Sequence, residues 1–170
     1  MRYVKDITLI AVLTSILFIQ KQLLSFLPNI QLTFFFLVLF SKKLNVIHTI
    51  IICLIYVILD NIIVGFNIFY VLFMFLALII IPILLNTLFK KVESNILLAL
   101  LGVLFSFIYS WILIIPGCIV FEMDFITYLL ADILWELILA FSSFITILLL
   151  YKPCAKVFDK LNIKRDFKNK

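Results

Sequence analysis

Residues 125–153 read FITYLLADILWELILAFSSFITILLLYKP, an apolar run that contains Asp132 and Glu136 and stops at Lys152-Pro153. A helix needs about 20 consecutive, mostly apolar residues to cross the hydrocarbon core, and residues 125–150 exceed that. A membrane strand would alternate apolar with polar residues, and this run does not. It therefore reads as a membrane-crossing helix with two carboxylates inside it. Spaced i and i+4, Asp132 and Glu136 share one helix face. At 1.5 Å per residue they lie about 10 and 16 Å below the start of the span. Charge at that depth is costly unless it faces protein or water. The pair is expected to point inward, into a wet pocket open to the outside or toward a basic partner.

The same signal repeats through nearly the whole chain. Of its 170 residues, 66% are hydrophobic and 14% charged, and the mean hydropathy is +1.33. Soluble domains are nearer half apolar and a quarter charged. The expected fold is all-α: a polytopic membrane bundle of six helices, forming one integral membrane domain over residues 1–170. Its spans are expected at about residues 7–26, 30–40, 44–59, 67–89, 95–115 and 125–150, with a basic tail over 152–170. The punctuation between them is Leu27-Pro28-Asn29, Ser41-Lys42-Lys43, Asp60-Asn61 with Gly65, Lys90-Lys91, and Pro116-Gly117.

Basic residues sort by loop. With six spans drawn, Arg2, Lys5, Lys42, Lys43, Lys90, Lys91, Lys152 and the tail fall on one side. Asp60, Glu122 and Asp124 fall on the other, without Lys or Arg. The positive-inside rule then predicts a multi-pass cell-membrane protein with both termini cytoplasmic. The net charge of +5 is thus topology information and not a nucleic-acid footprint, so no nucleic-acid partner is expected. Arg2 and Lys5 precede an apolar run that has no small-residue cleavage site, so the first span is read as retained.

Lys21, the one exception to the charge sorting, lies inside the first span between Gln20 and Gln22. It is an evident partner for Asp132 or Glu136. The alternatives are a buried ion pair that fixes packing or the polar wall of a substrate cavity. Asp60, Asn61 and Asn67 crowd the same outer half and favour a cavity. Tyr109, Tyr128 and Trp135 add aromatic and hydroxyl groups at similar depth, Trp135 lying too deep for an interfacial belt. Carboxylates, amides and tryptophans together suit a cationic or hydrogen-bond-rich ring compound better than a free acid.

No nucleophile elbow, Walker motif, HExxH or glycine-rich phosphate loop occurs, so enzyme activity and a cofactor are not expected. His48 is the single histidine, and Cys53, Cys118 and Cys154 are widely spaced. Neither set suggests a metal site or a disulfide framework. Ala11 and Ser15 form a small-xxx-small face in the first span, which lets another helix approach closely in lipid.

Taken in order, these features resemble the S components of energy-coupling factor (ECF) transporters. The likeness runs over essentially the full length, through the span count, the inside termini and the span-1 small pair. It narrows to the group with Leu-Pro-Asn after span 1, here Leu27-Pro28-Asn29-Ile30-Gln31-Leu32. The same group has an acidic residue and a Gly-aromatic pair between spans 3 and 4, here Asp60 and Gly65-Phe66. Its Asp-bearing last span is closed by Lys-Pro, here Asp132 and Lys152-Pro153. The resemblance implies capture of a vitamin or related micronutrient from outside. It also implies docking through span 1 on a coupling membrane subunit driven by two ATPases. On this chain, Ala11 and Ser15 match the docking pair, usually two alanines, and Asn29 and Gln31 match the first substrate loop. Trp135 and Glu136 stand where the family pattern leads one to expect a histidine, so the substrate is left open among cobalamin, thiamine-like and pyridoxine-like compounds. The competing expectation is a small MreD-like membrane scaffold without transport activity, in which Lys21 serves packing alone.

Overall fold

The computed structural model describes residues 2–161, so the distal part of the basic tail, from residue 162 on, lies outside the described residues. Among them are six helices and no strand: α1 Arg2–Leu23, α2 Thr33–Lys43, α3 Val46–Val64, α4 Ile68–Asn86, α5 Asn95–Phe121 and α6 Phe125–Lys160. Helices α3 to α6 are long and apolar enough to cross a membrane, as a multi-pass helical membrane protein requires. Their outer faces expose Leu, Ile and Phe side chains such as Leu72, Leu104, Leu134 and Phe141. Lipid accepts that surface.

Short polar side chains start the helices. Asn45 accepts the Ile47 amide ahead of α3, and Asn67 accepts those of Phe69 and Tyr70 ahead of α4. Asp124 accepts both the Thr127 amide and its hydroxyl ahead of α6. Each satisfies donors that the first helical turn leaves open. Those two Thr127 bonds hold the Asp124 carboxyl below its ordinary value, the hydroxyl contributing most. The stabilisation is therefore present above the ordinary carboxylate range and lost as pH falls through the lowered pKa.

Two helices run past their expected ends. Pro116 was expected to stop the fifth span and Pro153 the sixth, yet both lie inside helices that continue to Phe121 and Lys160. Neighbouring helices offset the hydrogen bond a proline removes, so packing overrides the breaker. At 36 residues, α6 is about 54 Å long and outreaches a hydrocarbon core of about 30 Å. Phe40 stacks on Phe158 at 6.1 Å, and Lys43 pairs with Asp159 at 2.7 Å, fastening the overhang to α2. Helix α3 likewise passes Asp60-Asn61 and stops a turn later, at Gly65 with φ 120°. Only glycine adopts that backbone angle readily.

The hub is α2. Its 11 residues rise about 16 Å, too short to cross a bilayer alone. It nonetheless packs against all five other helices. Phe34, Phe35, Leu37, Val38, Leu39 and Phe40 are fully or almost fully buried. A helix that is apolar on every side is stable only when surrounded. Helix α1 packs on α3 and α2.

Candidate ligand-binding cavity

The α1–α2 loop, residues 24–32, folds over the end of the bundle opposite Lys42-Lys43 and is tied down by hydrogen bonds. Gln20 accepts the Leu32 amide at 2.9 Å and donates to the Thr33 hydroxyl at 3.1 Å. Thr33 in turn donates to the Gln31 side chain at 3.0 Å. The Gln31 backbone exchanges hydrogen bonds with the Ser142 hydroxyl of α6, each at 3.3 Å. Asn29 adopts φ 57° at the loop's tightest point, a conformation asparagine tolerates better than most residues.

Beneath this loop lies a cavity of about 360 Å³, within the size range of small-molecule sites. It gathers Asn29 and Gln31 from the loop, Lys21 from α1 and Asp60 from α3. Tyr70 comes from α4, Tyr109 and Ser110 from α5, and Tyr128 and Asp132 from α6. Three tyrosine rings and a handful of charged groups thus converge on one space.

The electrostatics divide the wall in two. Lys21 was expected to meet Asp132 or Glu136; it pairs instead with Asp60 at 2.5 Å. The reason is topological, because α1 packs on α3 and so sets Lys21 beside Asp60. Gln22 supports the other Asp60 oxygen at 3.5 Å, and the Lys21 ammonium lies 5.9 Å from the centre of the Tyr56 ring. Lys21 and Asp60 cancel. Asp132 is left with one neutral partner, the Ser110 hydroxyl at 2.9 Å. One turn deeper, Glu136 is only 4% exposed, and its Oε1 has no hydrogen-bond partner. Glu136 does not itself line the cavity, so the uncompensated acid on the wall is Asp132 alone. An amine, amidinium or ring cation would satisfy it.

The remaining sequence candidates lie elsewhere. Asn61 is buried beside Asp60, but its amide is spent on the Val57 carbonyl and the Met74 sulfur. Asn67 caps α4 and does not line the cavity. Replacing it with alanine is expected to lower stability by about 1 kcal/mol with unchanged ligand affinity, readable by thermal unfolding and titration in parallel. Trp135 is 39% exposed and lies outside the cavity lining. Ala11 and Ser15 are exposed on α1, and the Ser15 hydroxyl folds onto the Ala11 carbonyl at 2.8 Å, so the small-residue face stays smooth.

Sequence reading missed Tyr70, whose signal was a lone hydroxyl in an otherwise apolar run. It also missed the role of Gly117. A Cβ there would lie 2.5 Å from the Tyr128 ring, so glycine is what lets Tyr128 sit where it does. Gly117→Ala is expected to destabilise the protein by about 1–3 kcal/mol through overpacking and to displace Tyr128. A fall in melting temperature accompanied by weakened ligand binding would be its signature.

No family model, curated protein or solved structure matches this chain.

Proposed function

We propose that this protein is the substrate-binding membrane subunit of an ECF-type importer. In this reading all six helices are membrane-embedded, with the basic ends cytoplasmic and the cavity facing outward. It captures a vitamin or related micronutrient and delivers it with a coupling subunit and two ATPases. The observation that carries the reading is the outer cavity with Asp132 uncompensated on its wall and buried Glu136 behind it. A tyrosine-lined chamber with one uncompensated carboxylate suits a cationic ring compound, the tyrosine faces receiving the ring and Asp132 the positive charge. Residues 24–32 form its roof, and Asn29 and Gln31 present polar groups downward. The exposed Ala11–Ser15 face gives the coupling subunit a smooth surface on α1.

The test has two arms. Purified protein is titrated with a panel of vitamins and followed by intrinsic tryptophan fluorescence; saturable binding that is lost in the Asp132→Ala, Glu136→Ala double variant is expected. Co-expression with a coupling subunit should give a complex that Ala11→Leu abolishes. No saturable ligand in the panel together with no complex would count against the proposal.

The Lys21–Asp60 pair favours a second reading. It joins α1 to α3 and would serve equally in a scaffold without transport activity. Under that reading a Lys21→Asp, Asp60→Lys swap preserves folding and the panel yields no ligand.

A further inference from the structure

A second cavity, of about 580 Å³, opens at the opposite end of the bundle, where the C-termini of α2 and α4 meet the N-terminus of α3. Lys42, Lys43 and Lys90 line it, together with Asn45, Glu93 and Tyr151. Lys42 donates to the Phe89 and Lys90 carbonyls at 2.7 and 3.3 Å, and so holds the α4–α5 loop as the cavity rim. Lys43 is neutralised by Asp159. Among the described residues that line the cavity, three ammoniums face a single carboxylate, Glu93. The N-terminus of α3 adds a partial positive charge at Val46 on the same wall. The cavity lies where α2 and α4 end and α3 begins. Ile47, next in sequence to the lining residue Val46, is 60% exposed and Leu88, two residues before Lys90, is 76% exposed, and they offer apolar ground for acyl chains. Basic pockets between membrane helices are characteristic headgroup sites.

We propose that this inner cavity binds the phosphate headgroup of an anionic phospholipid, with the acyl chains lying along Ile47 and Leu88. A free phosphate would share the headgroup chemistry but would make nothing of the apolar flank. The proposal is independent of what occupies the outer cavity.

The full chain is purified, stripped of lipid, and its melting temperature followed with phosphatidylglycerol, phosphatidylcholine or inorganic phosphate. Phosphatidylglycerol is expected to raise the melting point by several degrees and the other two to have little effect. Native mass spectrometry should show phosphatidylglycerol retained. Lys43→Gln with Lys90→Gln should weaken that retention about tenfold. Lys90→Gln alone, at an exposed position, keeps the comparison available if the double variant does not fold, and should weaken retention in the same direction. Equal stabilisation by phosphatidylcholine, or undiminished retention in the variants, overturns the proposal. An equal shift with inorganic phosphate also overturns it, by assigning the cavity to a small anion.

Discussion

Replacing Asp60 with leucine while Lys21 stays in place is expected to destabilise the protein by about 3 kcal/mol, the lower end of the range for breaking a buried ion pair. The lower end applies because the Asp60 side chain is 5% exposed but Lys21 is 28% exposed, so water screens part of the stranded charge. The other acid on the cavity wall, Asp132, stands on α6 and is hydrogen-bonded to Ser110. The Tyr56 ring, 5.9 Å from the Lys21 ammonium, remains beside it. Replacing both partners together, Lys21→Met with Asp60→Leu, should recover most of the loss, because two apolar groups of similar volume carry no desolvation penalty. Denaturation in detergent reads both values. An Asp60→Leu protein as stable as the parent would mean that the pair is fully solvated, and the division of the cavity wall into a cancelled and an acidic half would fail.

The second large effect concerns affinity. Asp132→Asn keeps the shape and an acceptor for the Ser110 hydroxyl, which now donates to Asp132 at 2.9 Å. It removes only the charge. For a cationic ligand this is expected to weaken binding about 100-fold, a loss of about 2.7 kcal/mol. Melting temperature should hold or rise slightly, as an uncompensated carboxylate is removed from the wall. Calorimetric titration of parent and variant with the same ligand measures it. Unchanged affinity would take Asp132 out of the site.

What the sequence made legible is what depends on local pattern. The i, i+4 spacing of Asp132 and Glu136 is enough to place both on one face, and the pairs Lys42-Lys43 and Lys90-Lys91 are enough to mark where helices end. Helix ends set by packing were not legible. Pro116 and Pro153 look like stops, and the structure carries α5 and α6 through both because neighbours support the freed backbone. The partner of Lys21 was equally hidden. Charge and depth allowed Asp132 or Glu136; the fact that α1 packs on α3 decided for Asp60. Amides are the hardest to read in a sequence. Asn29, Asn61 and Asn67 look alike there, yet one lines the cavity, one is spent on a backbone carbonyl and a sulfur, and one caps a helix. Tyr128 illustrates a further limit, since its position depends on a missing Cβ eleven residues away at Gly117.

The account rests on a water-filled chamber that opens away from the basic ends of the helices. Thiol accessibility tests this directly. In a background with Cys53, Cys118 and Cys154 replaced, Leu113→Cys places a thiol on the cavity wall, and Leu104→Cys places one on the exposed apolar face of the same helix. A charged, membrane-impermeant maleimide applied to intact cells is predicted to label the first and leave the second untouched. A silent Leu113→Cys in intact cells, or one labelled only after the inner face is exposed, would contradict the account.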